Sequence, residues 1–117
     1  MTITRLQAGP RMSQAVMHGA TIYLAGQVAD QAKGKSVGEQ TREVLASIDR
    51  LLAEAGSDKT RLLSATIYLA DIGTFAEMNA EWDAWITAGH APARATVEAK
   101  LAAPEYTVEI ACIAARA

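Results

Sequence analysis

Arg94 and Glu109 are the two residues of this 117-residue chain whose types are best suited to chemistry. Each lies in a segment with the alternating pattern of a β-strand, residues 94–101 and 106–114, and the short turn at 102–105 predicts a β-hairpin. If both apolar faces of the hairpin lie on one core, Arg94 and Glu109 share the opposite face. A guanidinium binds a small anion and a carboxylate moves protons. The pattern therefore indicates a site for an anionic ligand.

The same part of the chain also has plainer interpretations. Arginine and glutamate on neighbouring strands usually form a solvated ion pair that contributes little, and the strand pattern alone favours this alternative. Trp82 and Trp85, at helical spacing, favour packing in the core or an interface over a stacking platform. His18 and His90 lie far apart without a Cys or carboxylate at ligand spacing, so we expect no metal site. The single Cys112 lies in an apolar strand and is interpreted as a small buried hydrophobic residue.

Composition narrows the class of protein. Half of the residues are apolar, which for this length predicts one globular domain over residues 1–117 with a single core. Charged residues make up 21% and the formal net charge is −2, so no basic field attracts nucleic acid or an anionic membrane. The N-terminal segment lacks the pattern of a signal peptide, and no apolar run approaches the roughly 20 residues of a membrane span. We therefore expect a soluble, cytoplasmic protein that binds neither nucleic acid nor membrane.

Strand patterns elsewhere in the chain predict the rest of the sheet. Residues 13–18 and 21–26 have the pattern of two strands around a turn, and residues 62–69 form a strand with little polarity, as expected at the centre of a sheet. Residues 1–7 predict a weaker edge strand. The polar loop from Val28 to Lys35 has a conformation that the sequence leaves open.

Two amphipathic helices are predicted to cover this sheet. Ser36 and Glu39 form a capping box at the start of the first, apolar side chains then recur at spacings of three and four, and Gly56 ends it in a left-handed conformation. The second helix has two alternative starts, an N-cap at Asp71 or a capping box that begins at Thr74. Together the patterns predict an α+β fold with about six strands in one sheet and two helices on one face.

The second face of the predicted sheet has no cover within this chain. Two helices side by side span roughly 20 Å, which is enough for one face only. The other face carries Ala111 and Ile113 beside Arg94 and Glu109. We therefore predict a homo-oligomer that packs its sheets together, with the ligand site at or near the seam between subunits.

Five sequence motifs are similar to those of one known family. In chain order they are RMSQAV at residues 11–16, LAGQVA at 24–29, MNAEWDAW at 78–85, PAR-x-x-VE at 92–98 and VEI at 108–110. With the order of elements, they resemble the RidA/YjgF family, and in particular its YoaB-like members, over nearly the whole chain. The resemblance implies a chorismate-mutase-like α+β fold with a mixed six-stranded sheet, assembled as a homotrimer with sites in the clefts between subunits. It also implies hydrolysis of reactive enamines and imines, such as 2-aminoacrylate, to 2-oxo acids and ammonia, with no metal or organic cofactor.

The resemblance implies roles for four residues. The family arginine falls on Arg94, which implies a two-pronged grip on the substrate carboxylate. Gly26 matches the glycine whose backbone N–H also reaches that carboxylate. Glu109 matches the acidic residue that positions and deprotonates the attacking water, or holds the proton passed to nitrogen. Thr96 stands where the deaminases often have cysteine, so its hydroxyl can orient substrate but cannot act as a thiol.

Two positions depart from the family pattern. Met12 stands where many active deaminases have tyrosine, and Ala25 stands where serine commonly precedes the glycine. Two polar contacts to substrate are therefore missing, which leaves the physiological substrate open. The alternative function is a non-catalytic trimer that binds small carboxylates, or a partner enzyme, in the same clefts between subunits.

Overall fold

Residues 1–117 are described by a computed structural model in which six strands form one sheet and two helices pack on one of its faces. The strands are β1 (Ile3–Leu6), β2 (Ala15–His18), β3 (Thr21–Leu24), β4 (Leu62–Leu69), β5 (Ala93–Glu98) and β6 (Val108–Ala115). The helices are α1 (Val37–Glu54) and α2 (Phe75–Trp85). The sheet order is β1-β2-β3-β6-β4-β5, and only β4 and β5 pair in parallel. The predicted α+β fold, a mixed sheet with both helices on one face, is confirmed.

The last two strands do not form the predicted hairpin. β4 lies between them, pairing in parallel with β5 and antiparallel with β6. The connection from β5 to β6 runs past the end of β4, where Ala99 N–H donates to Leu69 O (2.9 Å). Because β4 is an inner strand, the backbone N–H and C=O groups on both of its edges need strand partners. Insertion of β4 between β5 and β6 provides both partners, whereas a β5–β6 hairpin would leave one edge of β4 unpaired.

The pairing of β4 also decides which face each side chain occupies. Residues that lie opposite one another in adjacent strands point to the same face. Ala65, which is buried in the core, lies opposite Arg94 on β5 and Cys112 on β6. Tyr68, on the other face of β4, lies opposite Glu109. Arg94 therefore faces the helix layer and Glu109 faces the open side, so the prediction that they share one face is wrong.

The ends of α1 follow from its local sequence. Ser36 Oγ accepts a hydrogen bond from Glu39 N–H (3.2 Å), which confirms the predicted N-cap. The Glu39 carboxylate accepts a hydrogen bond from the Ser36 hydroxyl (3.2 Å) rather than from the Ser36 backbone N–H. Gly56 has a φ of 79°, the left-handed conformation that ends a helix. Between these ends Val44 and Ile48 are fully buried, so one side of α1 packs onto the sheet.

The start of α2 differs from one of the two predicted alternatives. Asp71 caps a short 3-10 turn, Ile72–Thr74, by accepting a hydrogen bond from a backbone N–H (2.8 Å), and α2 follows directly. Thr74 makes no side-chain cap, so the predicted capping box at Thr74 is wrong. Glu77, its expected partner, instead accepts from Gly38 N–H (2.8 Å) in the first turn of α1. This bond joins the starts of the two helices, where helix dipoles favour a carboxylate.

The core lies between the helices and one face of the sheet and contains 22 buried apolar residues. Along β6 the side chains alternate between fully buried and partly buried positions, as the sequence pattern predicts. The opposite face exposes Tyr23 (48%) and Val97 (44%), and no element of the chain covers it. Neither helix has the length and hydropathy of a membrane-spanning segment.

One buried polar side chain joins α1 to two loops. Gln40 is fully buried. Its amide group donates to Lys35 O (3.1 Å) and Glu105 O (2.8 Å). The same amide accepts from Thr107 N–H (2.9 Å). Gln40 therefore fixes both the loop before α1 and the connection that leads into β6.

Replacing Gln40 by leucine should lower the free energy of unfolding by about 3 kcal/mol, because the substitution keeps the volume but leaves backbone groups without partners. Chemical denaturation followed by circular dichroism measures the change. Gln31→Leu is the matched control, since the Gln31 side chain is exposed and its loss should change stability by less than about 0.5 kcal/mol. Equal destabilisation by the two substitutions would contradict the role given to Gln40.

Candidate functional site

Gly26 and Glu109 are brought together beyond the end of β3. Gln27, the next residue, exchanges two backbone hydrogen bonds with Ile110 (2.8 and 3.1 Å), which places Gly26 beside β6. A Cβ atom at position 26 would clash with Glu109 Oε2, so only glycine permits this approach. The Gly26 N–H donates to no backbone group within the chain. A carboxylate and a free backbone donor are therefore adjacent.

Arg94 lies on the edge strand β5, and its half-buried side chain extends over α2. The guanidinium carbon is 5.1 Å from the ring centroid of Trp82 and 5.9 Å from that of Phe75. No carboxylate pairs with it, since the one ion pair of the chain lies elsewhere. The interpretation of Arg94 and Glu109 as an ion pair is therefore wrong within one chain. An arginine that is held by two aromatic rings and lacks a counter-ion is suited to bind an anion.

Thr96 and Asn79 add two buried oxygens without hydrogen-bond partners. Thr96 follows Arg94 by two residues in β5 and therefore lies on the same face of the sheet. The Thr96 Oγ1 atom is buried and has no hydrogen-bond partner. Asn79 Oδ1 is also buried and unpaired, on the side of α2 that carries Phe75 and Trp82. Buried polar atoms normally find a partner, so these two oxygens are polar groups that the chain alone leaves unsatisfied. Sequence reasoning missed Asn79 and Phe75, although their helical spacing from Trp82 was the signal that could have found them.

The four predicted site residues form two groups rather than one. Arg94 and Thr96 face the helix layer at the β5 edge of the sheet. Gly26 lies against Glu109, which is on the open face. β4 separates the two groups within the sheet. Within a single chain, the residues predicted to bind the anion and the residue predicted to transfer a proton therefore do not meet.

A polar cavity of about 470 Å³ adjoins Gly26. It lies between α1 and the segments that precede β2 and follow β3, and Met12, Gln14 and Gln27 contribute to its wall. Met12, at the position where the resemblance led us to expect a tyrosine, thus lines the same cavity as Gly26. The Ala25 N–H donates to Gln14 O (2.9 Å), so this part of the wall is fixed by backbone pairing.

The loop from Val28 to Lys35 is held against its neighbours. The Tyr106 hydroxyl donates to the Asp30 carboxylate. That hydrogen bond raises the pKa of Tyr106 above its ordinary value. Gln31 N–H donates to the Glu43 carboxylate on α1 (3.1 Å). The conformation that the sequence left open is therefore determined by contacts with α1 and with the segment before β6.

Cys112 lies on the helix-covered face of β6 and is 2% exposed. Burial raises the pKa of its thiol to about 12, because the thiolate is disfavoured away from water. The thiol stays protonated at neutral pH, which confirms its interpretation as a small buried hydrophobic residue. No three His, Cys, Asp or Glu side chains of the chain converge in an arrangement that could hold a metal ion.

At pH 8 iodoacetamide should modify Cys112 on the order of a thousandfold more slowly in the native protein than in the urea-unfolded chain, because the rate follows the thiolate fraction. The physical reason is the rise of the pKa from 9.0 to about 12 on folding. Mass spectrometry of timed samples gives both rates. A native rate within tenfold of the unfolded rate would show that the thiol is not buried as described.

The chain is similar to known proteins in both sequence and structure. The family model described as endoribonuclease L-PSP matches residues 2–116. The chain is 49% identical over 115 residues to the RutC family protein YoaB of Escherichia coli, covering 98% of this chain and 99% of the relative. It is 36% identical over 107 residues to the 2-iminobutanoate/2-iminopropanoate deaminase of Bos taurus, covering 87% of this chain and 77% of the relative. A crystal structure of a YjgF family member from Neisseria meningitidis, 50% identical, superposes with a TM-score of 0.97 and covers 100% of this chain and 97% of the other.

Proposed function

Because the chain belongs to the RidA/YjgF family, we propose that it hydrolyses reactive enamines and imines of 2-amino acids, such as 2-aminoacrylate, to 2-oxo acids and ammonia. The observation that carries the proposal is Arg94, a half-buried guanidinium held by aromatic rings and left without a counter-ion. The name of the bovine relative describes the same class of reaction. Every substrate of this class carries a carboxylate, which is the group that such an arginine binds.

Substrate binding follows from the unpaired groups of the two half-sites. Arg94 grips the carboxylate through two parallel N–H···O bonds, and the aromatic rings exclude water and strengthen this attraction. The free Gly26 N–H donates a further bond to the same carboxylate. The oxygens of Thr96 and Asn79, which have no partner within the chain, accept hydrogen bonds from the substrate nitrogen once the two side chains turn toward it. These contacts orient the carbon–nitrogen double bond for attack, which is most of what the reaction requires.

Hydrolysis needs one proton relay, which Glu109 provides. The enamine first tautomerises to the imine, and the oxygen of a water molecule then forms a bond to C2. Glu109 accepts a proton from this water and passes it to the nitrogen, giving a carbinolamine. The hydroxyl proton is then transferred to the nitrogen as the C2–N bond breaks, which forms the 2-oxo acid and releases ammonia. One water molecule is consumed for each ammonia that is released.

The proposed site requires two copies of the chain. Arg94 and Glu109 lie on opposite faces of the sheet, so one substrate can touch both only where two subunits meet. The open face, with Tyr23 and Val97 exposed, is the apolar surface available for that contact. In a cyclic trimer each seam joins two different surfaces. Arg94 of one subunit would then face the partner subunit's Glu109.

RNA cleavage, which the description of the family model names, is not favoured by the charge of this chain. Lys and Arg number 11 and Asp and Glu number 13, giving a net charge of −2. Surfaces that bind RNA are usually strongly basic. The imine reaction is therefore the function proposed.

Addition of the protein to a serine dehydratase reaction should speed the release of pyruvate, and Arg94→Ala should lower kcat/KM by about 10²- to 10³-fold through loss of the carboxylate grip. Arg94→Lys keeps the charge but loses the planar fork, so it should recover only part of the activity. No acceleration by the unmutated protein would count against this substrate class.

Glu109→Gln distinguishes an enzyme from a binder. The substitution should leave the affinity for pyruvate nearly unchanged, as measured by calorimetry, while kcat falls by about 10²- to 10⁴-fold. Full turnover by Glu109→Gln would remove Glu109 from the mechanism. Binding of pyruvate without any turnover by the unmutated protein would instead support the non-catalytic trimer.

Subunits that carry Arg94→Ala and subunits that carry Glu109→Gln should restore activity when they are refolded together. In an equal mixture, about a quarter of the seams of a cyclic trimer join an intact Arg94 to an intact Glu109, so about a quarter of the normal activity is expected. The control is the double variant refolded with unmutated chain. It should also give about a quarter of the activity if sites span seams, but about half if each site lies in one chain. An inactive mixture of single variants, or a monomer in analytical ultracentrifugation at micromolar concentration, would contradict the shared site.

A further inference from the structure

The cavity beside Gly26 contains a pair of joined side-chain amides. Gln27 Nε2 donates to Gln14 Oε1 (2.9 Å) and to Ala25 O (3.0 Å). These two bonds use both N–H groups of the Gln27 amide and leave its Oε1 as an acceptor. Gln14 Oε1 is engaged, and the Gln14 Nε2 group remains as a donor. One donor and one acceptor are therefore left on two joined residues that both line the cavity.

This pair of free groups matches one chemical partner better than others. A carboxamide offers an acceptor to Gln14 Nε2 and a donor to Gln27 Oε1. A carboxylate has only acceptors, so its second oxygen would face Gln27 Oε1 without a proton between them. An aliphatic group would leave both amides unpaired, which costs free energy in a partly buried wall. Charged groups of both signs, among them Arg50 and Glu43, line the rest of the cavity, so no single ligand charge is favoured.

We propose that this cavity receives the side chain of the substrate and selects a terminal carboxamide, so that the preferred imines derive from amide-bearing 2-amino acids. The proposal rests on the proposed function, because Gly26 both lines the cavity and lies against Glu109. A substrate whose carboxylate is held at Gly26 extends its side chain past Met12 toward the joined amides. The volume of about 470 Å³ lies within the range of small-molecule sites.

Affinities of stable carboxylic acids test the selection directly. Calorimetry would compare succinamate with succinate and 4-methylpentanoate, and glutaramate with glutarate and 5-methylhexanoate, since each set differs only in the terminal group. At one chain length or both, the amide should bind about tenfold more tightly than its two isosteres, because two hydrogen bonds are made. Equal affinities within both sets would overturn the proposal.

Substitution of Gln14 provides the matched test. Gln14→Glu keeps the acceptor for Gln27 Nε2 but removes the free donor, so the preference for the amide should fall about tenfold. Gln31→Glu adds the same charge to the wall of the cavity without touching the amide pair, and it should retain the preference. Gln14→Met, which lacks both polar atoms, should lose it without adding charge. Melting temperatures of all three variants establish that they fold, and a preference that survives both Gln14 substitutions would overturn the proposal.

Two further measurements separate this proposal from the proposed reaction. Arg94→Ala should weaken the amide and its isosteres by the same factor, because all of them share the carboxylate. If Arg94→Ala leaves the affinity for the amides unchanged, the assignment of the cavity to the substrate site is overturned. Imine hydrolysis is assayed independently with 2-aminoacrylate. If the protein prefers the amides but does not hydrolyse 2-aminoacrylate, only the proposed reaction is overturned. If it hydrolyses 2-aminoacrylate but binds the amides and their isosteres equally, only the carboxamide selection is overturned.

Discussion

The rest of the structure depends on the position of β4 between β5 and β6. Its two pairings place Arg94 on the helix-covered face and Glu109 on the open face. Successive residues of a strand point to opposite faces, so a slip of one residue in either pairing would move one of these side chains across the sheet. The register thus separates Arg94 from Glu109, to which the proposed function gives anion binding and proton transfer. Under the proposed function, the uncovered face is where a second copy of the chain would bring the two residues together.

Unpaired polar groups mark what the fold leaves for a ligand. Arg94 has no counter-ion, Gly26 N–H has no acceptor in the backbone, and the buried oxygens of Thr96 and Asn79 have no donors. The two buried oxygens lower the stability of the protein relative to a version in which they are paired. An imino acid carries a carboxylate for the donors and a nitrogen for the acceptors. The chemistry of the proposed substrate and the pattern of unpaired groups therefore support the same reaction.

Features with local causes were predicted from the sequence, whereas the pairing of distant strands was not. The cap at Ser36, the left-handed Gly56 and the bounds of β4 were predicted correctly, because each depends on a few neighbouring residues. The hairpin was wrong although its turn and both strands had suitable patterns. A short connection favours pairing of the strands that it joins, but an inner strand from earlier in the chain competes for both edges. The contact of the Arg94 guanidinium with the Phe75 and Trp82 rings was not predicted either, because it also joins distant parts of the chain.

By itself the sequence determined the residue types, the alternation within each strand, the caps of α1 and the excess of sheet over helix that leaves one face uncovered. The RidA/YjgF motifs also identified Arg94, Glu109, Gly26 and Thr96 as candidate site residues. Only the tertiary structure decided which of them lie together, how closely Gly26 approaches Glu109, and that Gln14 and Gln27 join in one cavity wall. The physical reason is that alternation makes neighbouring side chains point in opposite directions but does not say which strand lies beside which. Long-range packing and backbone pairing determine that order, and with it the face on which each side chain acts.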